Sequence, residues 1–79
     1  MKYKRLTEEN IIEVFEWESG VDTSTSEIGR YATINQIKEN GYMLLENKKR
    51  LFIGDYLIEI DNEYYPIDKD YFEKYMRGK

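Results

Sequence analysis

The side chains that could carry chemistry in this chain are carboxylates. The sequence has 16 acidic and 12 basic residues, but no histidine and no cysteine. Histidine is the only side chain whose ordinary pKa lies near neutrality, and together with cysteine it supplies most zinc ligands and most nucleophile–base pairs. The sequence therefore predicts no metal site, no cofactor and no enzymatic activity of the acid–base, triad or zinc kinds.

Four aspartates are of the residue type that binds calcium: Asp55, Asp61, Asp68 and Asp70. An EF-hand loop needs regularly spaced oxygen ligands, a central glycine and a terminal glutamate. The segment between Asp61 and Asp70 lacks that glycine and contains Pro66. Turn and helix-capping roles are therefore the preferred interpretation of these aspartates. Nothing in the sequence fixes the separation between two carboxylates that a glycosidase needs.

Two charge clusters suggest partners. Five glutamates lie close together near the start: Glu8, Glu9, Glu13, Glu16 and Glu18. They could imitate nucleic-acid phosphates, although a solvated face is the ordinary explanation of such a run. Lys48-Lys49-Arg50 stands next to Phe52, a combination that could bind single-stranded nucleic acid. The net charge of −4 opposes binding to phosphates. Nucleic acid is therefore kept as the alternative to a protein partner.

Aromatic residues are the other plentiful group, with eight tyrosines, three phenylalanines and one tryptophan. Adjacent strand residues point to opposite faces, so one of Tyr64 and Tyr65 is expected to face the solvent. Exposed aromatic residues are frequent at the centres of protein interfaces. Tyr64, Tyr65 and Trp17 are therefore the candidate interaction residues, and another protein is the preferred partner.

The length and the N-terminal residues bear on organisation and location. A chain of 79 residues has room for a single domain with a small core. No apolar stretch is long enough to span a bilayer, which predicts no membrane partner. Residues 1–6 are basic but lead into Thr7-Glu8-Glu9-Asn10 rather than into an apolar run. This pattern predicts no secretory signal peptide and a cytoplasmic location.

The first apolar segment, Ile11–Trp17, fits two structures. It could form a helix that Thr7 caps and Gly20 ends. Its β-branched and aromatic residues favour a strand, which is the preferred interpretation. Residues 19–26 are rich in Gly, Ser and Thr and are predicted to form a loop.

A short helix is predicted over Ile34–Asn40. Thr33 and Gln36 have the spacing of a capping box, in which each side chain bonds the backbone of the other residue. Gly41 follows the last helical residue and suits the left-handed conformation that ends many helices.

The second half of the chain is predicted to form a β-meander. Its strands are Tyr42–Glu46, Leu51–Ile53, Tyr56–Ile60 and Glu63–Tyr65. Gly54 lies in one connecting turn, and Asp61-Asn62 is a two-residue hairpin turn because both residue types tolerate positive φ. Pro66 is expected to end the last strand, since proline cannot donate to a sheet ladder.

A C-terminal helix is predicted from about Tyr71. Asp70 and Glu73 form a second capping pattern. One helical face carries the apolar residues Tyr71, Phe72, Tyr75 and Met76. The predicted fold class is thus α+β: a small antiparallel sheet of four or five strands, one short helix before the meander and one C-terminal helix.

Segments at both ends of the chain resemble a group of small uncharacterised phage and prophage accessory proteins. The matching C-terminal segments are Gly54-Asp55-Tyr56, Tyr65-Pro66 and Asp70-Tyr71-Phe72-Glu73-Lys74. The matching N-terminal segments are Met1–Arg5 and Ile12–Trp17. The chain departs from the group where Thr7–Asn10 and Lys69 replace usual prolines, and residues 18–46 do not match.

The resemblance implies an accessory protein of phage origin inside a bacterial cell. It also implies that the segment Ile12–Trp17 is a strand. It assigns no functional site, because every matching residue has a structural explanation as a turn, strand or cap residue.

Overall fold

Five short strands and three helical segments make up the fold, which the computed structural model describes for residues 1–76. In chain order they are β1 (Lys2–Arg5), α1 (Ile11–Ser19), α2 (Glu27–Asn40), β2 (Tyr42–Leu44), β3 (Arg50–Phe52), β4 (Tyr56–Ile60), β5 (Glu63–Ile67) and α3 (Lys69–Tyr71), which continues as a π-helix (Phe72–Met76). We call residues 69–76 the C-terminal helix. The predicted α+β class is confirmed. None of the helices in this described part is both long and apolar enough to cross a membrane.

The strands form two antiparallel sheets instead of the single predicted meander. One sheet has the order β1-β4-β5, and the other is the β2–β3 hairpin. In the larger sheet Tyr3 lies opposite Ile58, which lies opposite Tyr65. In a meander β3 would lie beside β4, but here β1 occupies that position. The sequence did not indicate β1, because Lys2, Lys4 and Arg5 are not typical strand residues.

Strand β4 is buried on both faces and separates two hydrophobic cores. Leu57 contacts the larger core, whose buried members are Leu6, Ile11, Val14, Ile37, Met43, Leu45, Leu51 and Leu57. Tyr56 and Ile58 point to the opposite face, where Phe72 of the C-terminal helix completes the smaller core. Helices α1 and α2 and the β2–β3 hairpin therefore pack on one side, and the C-terminal helix packs on the other.

The predicted strand at Ile11–Trp17 is wrong, and so is the strand that the resemblance implies there. The segment forms α1, in which Ile11, Val14 and Glu18 are buried. Their spacing of three and four residues places one face against the core. Gly20 ends the helix at φ 76°, and its N–H donates to the Glu16 carbonyl. Burial of a helical face has overridden the β propensity of these residues.

Helix α2 is longer than predicted and begins at Glu27. Ser26 is its N-cap, because the hydroxyl accepts from the Gly29 N–H at 3.1 Å. Thr33, the expected cap, lies inside the helix. Gly41 ends the helix at φ 83°, as predicted. Only the C-terminal part packs on the core, where Ile37 is buried.

Strand β5 ends later than predicted, and the C-terminal helix has a different N-cap from the predicted one. Pro66 lies within β5 opposite Leu57, at the edge of the sheet, where its missing N–H removes no bond to β4. Asp68, not Asp70, caps the C-terminal helix. Its Oδ2 accepts from the N–H groups of Asp70 at 3.0 Å and Tyr71 at 3.2 Å.

Candidate interaction surfaces

The three predicted interaction residues lie on two different faces of the sheet. Trp17 of α1 meets Tyr64 of β5 edge-to-face, with ring centroids 5.1 Å apart. The Tyr64 hydroxyl also donates to the Trp17 carbonyl at 3.1 Å. Tyr65 packs instead on the smaller core beneath the C-terminal helix. Both tyrosines are half-buried, so the expectation that one faces the solvent is wrong, because elements cover both faces of the sheet.

An acidic cleft of about 300 Å³ lies beside this aromatic pair. Its lining consists of Glu18, Glu46, Asn47, Asn62, Glu63 and Tyr64. Glu18 is buried, and its Oε2 accepts from the Glu46 N–H at 2.8 Å. Burial raises the pKa of Glu18, and the nearby Glu46 carboxylate adds to the effect. Burial likewise raises the pKa of Tyr64.

Glu18 has a structural role in the acidic cleft. The Glu18–Glu46 hydrogen bond ties α1 to the loop after β2, and this contact explains why a carboxylate is buried there. Across residues 1–76, no group of three or more acidic side chains is arranged to hold a metal ion. Asp55 and Asp68, two of the aspartates considered for calcium, instead accept backbone N–H groups near the start of the C-terminal helix.

The predicted glutamate cluster does not form one acidic face. Glu18 is buried, whereas the Lys4 ammonium lies 2.7 Å from the Glu13 carboxylate. Glu16 accepts from the hydroxyl and the N–H of Thr23, and these hydrogen bonds lower the pKa of Glu16. Three of the five glutamates are therefore held by contacts within the fold: Glu13 to β1, Glu16 to the loop after α1 and Glu18 to the loop after β2.

The β2–β3 hairpin carries an exposed surface that the sequence analysis did not identify. Side chains at alternate positions share a face. Met43 and Leu51 point inward and are almost fully buried. The opposite face consists of Tyr42, Leu44, Arg50 and Phe52, and we call it the hairpin outer face. Its signal in the sequence is that Tyr42–Leu45 is apolar throughout, as expected of a strand with apolar residues on both faces.

The side chains of the hairpin outer face are in contact with one another. Tyr42 lies directly across from Phe52, with ring centroids 5.6 Å apart. The Arg50 guanidinium lies 4.7 Å from the Tyr42 ring centroid, within the range of a cation–π interaction. Leu44 is 57% exposed and Phe52 is 49% exposed. The result is a contiguous aromatic and aliphatic surface that includes one cation.

The turn between β2 and β3 adds positive charge at one end of this surface. Lys48 adopts a φ of 73°, and the Lys49 N–H donates to the Asn47 side chain at 3.0 Å, which fixes the turn. Lys48, Lys49 and Arg50 form no ion pair with any residue between 1 and 76. Arg50 and Phe52 lie on the same face of β3, so the cluster is next to Phe52 as the sequence predicts.

An open cleft of about 330 Å³ adjoins the hairpin outer face at Tyr42 and Leu44. Phe15 of α1 and Ile37 of α2 form its apolar lining, and Thr33, Gln36 and Asn40 supply polar groups. A side chain from a partner could therefore enter beside the exposed strand face.

A scan against protein-family models, a search of curated proteins and a search of solved structures each find no significant match to this chain.

Proposed function

We propose that this protein has no catalytic role and acts by binding another protein through the hairpin outer face. The observation that carries the proposal is the exposure of Leu44 and Phe52 on a strand pair whose other face is buried. Tyrosine, phenylalanine and arginine are enriched in protein interfaces, and contiguous exposed apolar surface is uncommon on monomeric proteins. Tyr42, Phe52 and Arg50 would form the centre of the contact.

The charges around this surface define the chemistry of the partner. Lys48, Lys49 and Arg50 carry positive charge that forms no ion pair within residues 1–76, beside the apolar side chains, although the chain as a whole has a net charge of −4. Opposite charges at the rim of an interface speed association and select the partner. The partner we propose therefore presents an apolar patch bordered by carboxylates.

The biological setting of the proposal comes from the resemblance to phage and prophage accessory proteins. On that basis we propose a location in the cytoplasm of a bacterial host, with a host or phage protein as the partner. Trp17, Tyr64 and Tyr65 would then support the fold and contribute to binding less than the hairpin outer face does.

The proposal predicts that Phe52→Ser abolishes capture of a partner from host lysate. Phe52 is half-exposed, so its replacement removes contact area with little effect on the core. The matched control is Ile28→Ser, which changes an aliphatic side chain that is 85% exposed on α2. A partner that is retained after nuclease treatment by the parent and by Ile28→Ser, and lost with Phe52→Ser, supports the proposal. Equal capture by all three proteins contradicts it.

A nucleic-acid-binding function is the second candidate, because Arg50 stacks on Tyr42 beside Phe52 and two lysines. Cations and aromatic rings together can bind single strands. Gel-shift experiments with single- and double-stranded DNA and RNA at about 150 mM salt, where weak phosphate contacts are screened, test it. A shift that disappears when Lys48, Lys49 and Arg50 are neutralised would favour this function over protein binding.

A further inference from the structure

Strand β1 lies at the edge of the larger sheet, and its hydrogen-bonding pattern follows from its register. In an antiparallel pair, residues that exchange backbone hydrogen bonds alternate with residues that exchange none. Lys4 lies opposite Leu57, and two positions further on the Leu6 N–H donates to the Asp55 carbonyl at 2.9 Å. Lys4 and Lys2 therefore bond to β4, and Tyr3 directs its N–H and carbonyl away from the sheet.

Two further observations give the same pattern. Pro66 lies opposite Leu57 and has no N–H, so the backbone groups of Leu57 are directed at β1 rather than at β5. The Arg5 carbonyl accepts from the Asn10 side chain at 2.8 Å, so this carbonyl points away from β4. This hydrogen bond occupies the backbone acceptor at the Arg5 end of the exposed edge. Within residues 1–76, Tyr3 has no backbone hydrogen bond outside the pairing of β1 with β4, and the register directs its N–H and carbonyl away from β4.

The side chains along this edge are basic and aromatic. Lys2 and Lys4 point to the face of the sheet that α1 covers, whereas Tyr3 and Arg5 point to the other face. The Lys4 ammonium lies 5.7 Å from the Trp17 ring centroid. An open cleft of about 490 Å³ runs along the strand, lined by Met1, Lys2, Tyr3, Lys4 and Trp17.

The charges on β1 decide what can occupy the edge. A second copy of this chain, paired antiparallel about Tyr3, would place Lys2 opposite Lys4 twice. Like charges directly opposite each other destabilise a strand pair. An extended segment with acidic residues on one face would instead pair a carboxylate with Lys2, which has no ion pair within residues 1–76, and place another beside Lys4, whose ammonium also contacts Glu13.

We propose that the edge of β1 binds an extended acidic segment of a partner protein by strand addition. The partner strand exchanges backbone hydrogen bonds with Tyr3, and its carboxylates lie beside Lys2 and Lys4. An apolar residue two positions from a carboxylate, and therefore on the same face of the partner strand, contacts the exposed side of Trp17 in the cleft. This site lies on a different sheet from the hairpin outer face, and the inference does not rest on the function proposed for that face.

The test uses a synthetic peptide, acetyl-Glu-Thr-Glu-Thr-Val-Thr-Glu-amide, added to the full chain; its glutamates and its valine lie on one face of an extended strand. Binding is followed by the fluorescence of Trp17, the single tryptophan of the sequence, and by NMR hydrogen exchange of backbone amides. We expect the Tyr3 amide to exchange more slowly when the peptide is bound. Lys2→Glu should weaken binding about fivefold, since it turns an attractive cross-strand pair into a repulsive one. Lys38→Glu, an equal charge change on exposed α2, should not.

Two controls separate strand addition from attraction between charges. The same peptide with every amide N-methylated keeps its charge but cannot donate to the Tyr3 carbonyl, and we expect it not to bind. Equal binding of the N-methylated peptide, or unchanged exchange of the Tyr3 amide at saturation, would overturn the inference. The inference would also be overturned if the peptide did not bind at all. The same holds if a single-stranded oligonucleotide displaced the peptide and perturbed the same amides.

Discussion

Glu18 is a buried carboxylate in a small domain, and its environment makes the stability of the fold depend on pH. Burial favours the protonated form, so the pKa of Glu18 is higher in the folded chain than in the unfolded chain. Between the two pKa values the folded state binds more protons. The contribution of Glu18 to the free energy of unfolding therefore falls as pH rises through this interval.

We expect Glu18→Gln to raise the free energy of unfolding at pH 7. The glutamine oxygen can still accept the Glu46 N–H, and no charge is buried. The gain should shrink as pH falls toward 4, where the parent side chain binds a proton. Urea denaturation at several pH values measures it, and Glu9→Gln, which removes the same charge from an exposed position, is the control. A gain that grows on acidification would contradict this account.

At the same scale, the interaction residues could be predicted only in part. The sequence shows that Tyr64 and Tyr65 point to opposite faces of a strand, and this is correct. It does not show that α1 covers one face and the C-terminal helix the other, because both contacts join distant segments. Trp17 and Tyr64 are 47 residues apart, and their contact depends on helix α1, which the sequence suggested was a strand.

At the scale of elements, the C-terminal helix shows how a cap fixes the first turn. Asp68 and Asp70 are both exposed, but only Asp68 accepts backbone N–H groups from that turn. We expect Asp68→Ala to lower the free energy of unfolding by about 0.5–2 kcal/mol through loss of the N-cap. Asp70→Ala should change it by less than about 0.5 kcal/mol, as for most surface substitutions. Urea midpoints compare the two variants, and a larger loss for Asp70→Ala would place the cap there instead.

The elements that could be predicted are those with local signals. The Asp61-Asn62 turn has the expected positive φ values of 53° and 67°, and it joins β4 to β5 as predicted. Helix α1 and strand β1 could not be predicted because their conformations depend on distant partners. Strand β1 is basic and forms only because Tyr56–Ile60 provides a pairing edge. The Ser26 cap was missed because Gly29 occupies the position where a capping box has Glu or Gln.

At the scale of the whole molecule, β4 joins the two cores, and we expect them to unfold together. Phe72 is fully buried in the smaller core, where it stacks on Tyr56 at 4.0 Å between ring centroids. Phe72→Ala should cost about 3–5 kcal/mol, as for other buried aromatic residues. The total stability expected for a domain of this size is roughly 4–12 kcal/mol, so this substitution should remove about a quarter of it or more. Phe52→Ala, at a half-exposed position, is the control and should cost much less.

Trp17 fluorescence tests whether the two cores unfold as one unit. Trp17 packs on the larger core and reports on that side of the sheet, whereas far-UV circular dichroism reports on all elements. We expect Phe72→Ala to shift both urea transitions by the same amount, because Tyr56, Leu57 and Ile58 lie on one strand. An unchanged Trp17 transition in this variant would show that the larger core is stable without the smaller one.

The pairing of β1 with β4 also sets the order in which the sheet can be completed during synthesis. The two strands are about 50 residues apart in the chain. At about 5–20 residues per second, β1 leaves the ribosome roughly 3–10 s before β4. The β2–β3 and β4–β5 hairpins need only neighbouring residues and can form as they emerge. Strand β1 thus remains unpaired for the longest time after synthesis. Its charged residues, Lys2, Lys4 and Arg5, oppose edge-to-edge pairing with strands of other nascent chains during that time.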